Sequence, residues 1–187
     1  PRLTLSFAAE DNRLRWASLA PAGGSAWINA GTPSSLFSLT VDGQVWEAPA
    51  LTLTGVDEDE PAAGVRHAAF HLGGPGFSVT AHVKTYAEGA VLETWQDVRN
   101  DGPAPIRIAS SNSIDVILPT GTAELFSYTG NWGSEYEPQH RPLEGAVRIE
   151  SRKGRSSKGD HPWFALTAAD GRVLSGAVAW SGNWVFR

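Results

Sequence analysis

The sequence predicts an all-β protein, a large antiparallel β-sandwich with few or no helices, and three observations carry that expectation. Apolar, β-branched and aromatic residues alternate with polar ones over short runs. Gly, Pro, Asn and Asp interrupt these runs about every 8–12 residues, the spacing of turns between short strands. No stretch shows a 3.6-residue period of helical length. About twelve short strands without helices must cover their apolar faces with one another, which calls for stacked sheets.

The candidate strands follow in chain order. Leu3–Phe7 opens with alternating Leu, Leu and Phe, and Leu36–Val41 runs apolar up to Asp42-Gly43. Gly accepts the positive φ that a primed hairpin turn demands, so Asp42-Gly43 predicts a tight reversal. Leu51–Val56 and Val65–His71 flank the segment Asp57–Gly64, which reads as a hairpin loop and is the one candidate hinge. Phe77–Tyr86 and Ala90–Val98 are joined across Glu88-Gly89, and Asn100-Asp101-Gly102-Pro103 closes the latter. Pro105–Leu118, Glu124–Tyr128, Gly145–Glu150 and Trp163–Thr167 follow. Asp170-Gly171 predicts a hairpin into Val173–Ser181, and Gly182-Asn183 a turn into Trp184–Phe186. Without internal repeat, low-complexity tract or linker, residues 1–187 read as a single domain.

Composition narrows the function classes. The 187 residues carry a net charge of −5, with a pI near 5.5, which offers no basic footprint for nucleic acid or an anionic membrane. No apolar run reaches the roughly 20 residues of a membrane helix, and the N-terminal residues read as a strand, not a secretory signal. Cysteine is absent, which excludes disulfides, thiolate catalysis and Cys-based zinc sites and favours a cytoplasmic setting. No cofactor or metal is expected.

Several segments invite a chemical reading. Clustered carboxylates at Asp57–Glu60 suit a hard cation, but consecutive ones converge on a single ion only in a special loop, so a solvated acidic loop is the reading. His67 and His71 share one face of a strand, separated by roughly 13 Å, too far to share a metal. His82 lies on the next strand, within lateral reach of one of them. The basic stretch 151–159 lacks the Gly-x4-Gly-Lys order of a phosphate-binding loop and the second Gly of a nucleophile elbow. Eight tryptophans offer indole faces on which the apolar faces of sugars stack. Trp95, Trp163 and Trp180 are expected in the core, whereas Trp132, beside Asn131, Gly133 and Glu135 in a loop-like setting, stands open between a structural and a functional role.

Three blocks in fixed order then carry a resemblance: Trp132-Gly133-Ser134-Glu135-Tyr136; Gly154-Arg155-Ser156-Ser157 with Asp160-His161-Pro162-Trp163-Phe164-Ala165-Leu166; and Trp180-Ser181-Gly182-Asn183. Leu92–Asn100, ending in an Asn-x-Gly turn, adds a fourth. Together they resemble the N-terminal β-domain of glycoside hydrolase family 36, the α-galactosidases, over the second half of the chain. The resemblance implies a galactose-mutarotase-like supersandwich. It also implies a parent enzyme that hydrolyses terminal α-galactosyl residues with two Asp residues of a (β/α)8 barrel, about 5–5.5 Å apart in a retaining enzyme. That barrel would follow Arg187, so the chain itself is expected to hold no catalytic residue. Its implied work is to pack on the barrel, shape the active-site rim and aid oligomerisation, with galactoside met at most peripherally. Trp132, Glu135, Arg155, Ser156 and Ser157 are the residues expected at the domain interface or near sugar. Family members carry an early Glu-Tyr-Pro…Gly-x-Asp-Phe-Arg loop that reaches a neighbouring subunit; Val41–Pro49 has no such text, so none of its substrate contacts is carried over.

Two other readings remain open at the level of sequence: a free-standing carbohydrate-binding sandwich, and a small mutarotase-like enzyme using His67, His71 or His82 as base.

Overall fold

Alternation along the chain becomes alternation across sheets. The computed structural model describes residues 2–28, 31, 34–118, 122–155 and 157–187. Among them the regular structure is fifteen strands and one 3-10 turn, Ala48–Ala50, with no α-helix, and every strand pairing is antiparallel. The chain falls into two compact units, Pro1–Pro119 and Thr120–Arg187.

The first unit holds three sheets. Strands β1 (Leu3–Glu10) and β2 (Arg13–Pro21) form a hairpin. Strands β3 (Ser38–Val41), β4 (Gln44–Glu47) and β9 (Ile108–Asn112) form a three-stranded sheet in the order β4-β3-β9. Strands β5 (Thr52–Ala62), β6 (Val65–Gly73), β7 (Phe77–Tyr86) and β8 (Leu92–Asn100) form a meander. In β7 the period of two is strict: Phe77, Val79, Ala81 and Val83 are buried, while Ser78, Thr80, His82 and Lys84 face outward. That inner face meets the other sheets through Phe7 against Phe70 (ring centroids 4.8 Å apart) and Trp46 against Phe77 (5.6 Å). Trp16, Phe37, Leu39 and Leu72 complete the core, each at most 1% exposed; burying one such side chain contributes about 1.5–3 kcal/mol.

The second unit is a smaller sandwich. Strands β10 (Thr122–Asn131), β11 (Ser134–Pro142), β13 (Gly159–Ala168) and β14 (Val173–Ala177) run in the order β11-β10-β13-β14. A short pair, β12 (Ile149–Ser151) with β15 (Trp184–Phe186), accompanies them. Leu125, Ile149 and Trp184 form the core between these sheets, with Phe164, Leu166 and Phe186 packed against it.

Both expected Gly turns are present. Asp42 and Gly43 have φ of 48° and 83°, as a type I′ turn requires, and Gly171 (φ 82°) closes β13–β14. The acidic run is a correction. Asp57–Glu60 lies inside β5 and not in a loop, the reversal coming at Gly64 (φ 74°); alternate carboxylates find histidines on β6, which keeps the strand extended. Pro105–Leu118 is likewise a strand only over Ile108–Asn112. Strands β2, β4 and β11 were not among the expected strands, although Arg13, Leu14, Arg15 and Trp16 alternate strictly between exposed and buried; β11 carries Pro138 and Pro142, which an edge strand tolerates because it need not donate along its outer side.

Candidate functional site

Of the segments that carry the resemblance, Leu92–Asn100 forms β8 of the first unit, whereas those around Trp132, Gly154 and Asn183 lie in the second unit, where the first two meet at one end of a sheet. Gly130 pairs with Gly159 in register, so the β10–β11 turn and the 152–158 loop leave the sheet at the same end. The turn is tight because Gly133 takes φ of 77° and Asn131 Oδ1 accepts from the Trp132 amide at 3.0 Å. The 152–158 loop is tied from below by Ser151 Oγ, which donates to the Arg155 carbonyl at 2.5 Å. From the side, the Gly154 amide donates to Asn183 Oδ1 at 3.0 Å. Blocks far apart in sequence thus share one rim.

At this rim Trp132 is 98% exposed, an extreme for an indole. Glu135, Arg155 and Ser157 are also exposed, and Ser156 lies outside the described residues. Arg155 and Glu135 stand without an ion-pair partner among the described residues, as do Lys153 and Lys158, whereas Glu150 is paired. Glu150 accepts from Arg148 and, at 2.8 Å, from Arg152. The Arg152 hydrogen bond, with help from Arg148, holds the Glu150 carboxyl below the usual glutamate range. Asp170 is likewise held low by the Arg172 backbone amide and guanidinium.

Below the rim, the outer face of the sheet carries a continuous aromatic layer that the sequence reading did not find. Phe126 stacks on His140 at 4.4 Å and meets Trp163 edge-on at 5.6 Å. Tyr128 contacts Trp163 at 5.6 Å, and Tyr136 lies 4.6 Å from His161. Two irregularities aim these rings. Between the pairs Ser127↔Phe164 and Thr129↔Asp160, β13 inserts His161, Pro162 and Trp163 opposite Tyr128 alone. Between Thr129↔Glu137 and Asn131↔Ser134, β11 bulges at Glu135 and Tyr136, with Tyr136 at φ of 56°, a left-handed conformation costly for a bulky residue. His161 is 9% exposed and its Nε2 is buried without a partner among the described residues. Its ring lies over Gly130, where a Cβ would come within 2.7 Å of that nitrogen. The one legible signal was the density of aromatic and His residues in residues 126–140 and 160–164.

The tryptophan expectations need correction. Trp180 is 62% exposed in the irregular segment after β14, and Trp95 and Trp163 are half-buried on outer sheet faces, because these two fall on the parity opposite the core residues of their strands.

In the first unit, His67 and His71 do share a face, and His82 joins His67. His67 Nδ1 contacts Asp59 at 2.6 Å, its Nε2 meets His82 Nδ1 at 2.9 Å, and His82 Nε2 contacts Asp97 at 3.1 Å. Trp95 stacks over both rings. His71 is held separately by Asp57 at 2.8 Å and Thr80 at 3.3 Å. Every ring nitrogen of the three is engaged in a side-chain contact. Among the described residues no cluster of His, Asp and Glu is arranged to hold a metal ion, and no helix is long and apolar enough to cross a membrane.

Exposed rings, charges without an ion-pair partner among the described residues, and histidines engaged in hydrogen bonds characterise the surface of this all-β protein. The comparisons give the family. The glycosyl hydrolase family 36 N-terminal domain matches residues 74–187, more than half the chain, and the protein belongs to that family. Alpha-galactosidase AgaA of Geobacillus stearothermophilus is 29% identical over 116 residues, covering 59% of this chain and 16% of its own length. Among solved structures, the GH36 alpha-galactosidase AgaB of the same organism superposes with a TM-score of 0.81 over 98% of this chain at 18% identity. A doubly substituted AgaA in complex with raffinose gives 0.80 at 16% identity, and the alpha-galactosidase of Lactobacillus brevis 0.78 at 13%. These likenesses show the fold. The chain spans 33% of the length of AgaB and 34% of that of the AgaA structure.

Proposed function

We propose that this chain is the non-catalytic N-terminal domain of an α-galactosidase that hydrolyses terminal α-galactosyl residues, and that it packs on a catalytic (β/α)8 barrel through the rim of the second unit. The observation that carries the reading is Trp132: an almost fully exposed indole on a tight turn, with Glu135 and Arg155 at the same end of the sheet and without an ion-pair partner among the described residues. Aromatic and Arg residues of this kind anchor protein interfaces. Relatives in which such a domain makes up about a third of the chain, with α-galactosidase in their names, support the same conclusion. On this reading the enzyme's two carboxylates lie on the barrel, galactoside meets this domain only at the rim, and oligomerisation and a cytoplasmic setting belong to the whole enzyme. The test is to replace Trp132 by Ala in the full reading frame. Loss of barrel stability with loss of turnover of an α-galactoside supports packing. Unchanged activity and unchanged thermal midpoint would sink it.

A further inference from the structure

The aromatic layer on the outer face of β10, β11 and β13 is built more deliberately than packing requires. His161 is nine-tenths buried with an unpartnered Nε2, and an unmade hydrogen bond at a buried nitrogen is costly. The Tyr136 ring lies 4.6 Å from the His161 ring, held from a left-handed backbone conformation while its side chain stays largely in solvent, the residue being 65% exposed. Strained non-glycine residues and bulges concentrate at ligand sites. Opposite Phe126 and Tyr128 in register stand His140 and Pro138, so no carboxylate, ammonium or guanidinium lies across from either ring. Such a surface rejects ions and suits a neutral ligand with apolar C–H faces and hydroxyl edges.

We propose that this face is a pyranose-binding subsite. The ring of Tyr136 takes the apolar face of the sugar, and turning that ring about its Cα–Cβ bond admits one sugar hydroxyl to His161 Nε2. Tyr128 and Trp163 form the floor. Gly130 is required because the imidazole lies directly on its backbone. The subsite needs no barrel, so it stands or falls apart from the packing role of Trp132.

The test is a titration of the 187-residue chain with methyl α-galactopyranoside, read from the Trp163 indole and His161 imidazole signals in NMR spectra. Saturable shifts at both residues with a Kd of about 1–10 mM are expected for a single exposed sugar site. Tyr136→Asn removes the ring but suits the left-handed backbone, so the domain should stay folded while affinity falls about tenfold or more. His161→Phe preserves ring packing and should weaken binding about fivefold or more. Absence of saturable shifts up to about 100 mM sugar, or unchanged affinity in a folded Tyr136→Asn variant, would overturn the proposal.

Discussion

His67 Nε2 and His82 Nδ1 meet at 2.9 Å, with the two imidazoles 11° from parallel and an aspartate at each outer nitrogen. The carboxylates only accept, so each outer nitrogen donates outward and one ring must also donate across the shared contact. The array thereby ties four strands, β5 to β8, through side chains on the solvent side of a sheet whose other face is the core. A double-mutant cycle with His67→Phe and His82→Phe should show a coupling energy of about 0.5–3 kcal/mol in urea unfolding. Strict additivity would mean that the contact contributes nothing.

The rim has a pH signature. Glu150 is held below its ordinary range chiefly by the Arg152 hydrogen bond. A depressed folded-state value means the contribution is present above the unfolded glutamate range and is lost as pH falls through the folded value. Wild type should therefore exceed Glu150→Gln in thermal midpoint at neutral pH, and the gap should close under acid conditions. Because the group is solvent-exposed the gap should be small; a gap that widened on acidification would reverse the sign.

Gly130 is a packing requirement. A Cβ there would lie 2.7 Å from His161 Nε2, and the His161 residue is only 9% exposed. Gly130→Ala should destabilise the chain by about 1–3 kcal/mol in chemical denaturation. A neutral result would show that His161 moves freely.

The β3–β4 turn offers a backbone test. Gly43 sits at φ of 83°, with nothing within 4 Å of a Cβ built there, so substitution strains only the backbone. Gly43→Ala should cost about 1–2 kcal/mol, read from the urea midpoint.

These cases also show what the sequence could carry. Strands such as β7 were legible because one face is core and the other wet, which writes a period of two. Asp42-Gly43 was legible because a primed turn admits few residues. The edge strand β11, with its prolines and almost no apolar alternation, had no such pattern. The run Asp57–Glu60 misled because its partners, His71 and His67, are matched only once β5 and β6 pair. At the site, the blocks around Trp132 and Arg155 could be named in advance. The ring layer of Tyr128, Tyr136, His161 and Trp163 could not, since two bulges decide which way those side chains point.

The most direct measurement is hydrolysis of raffinose by the chain alone and by the full protein of the proposed function. The account predicts no turnover by the 187-residue chain and galactose release with retention of anomeric configuration by the full protein. Turnover by the chain alone, or a full protein without activity on α-galactosides, would contradict it.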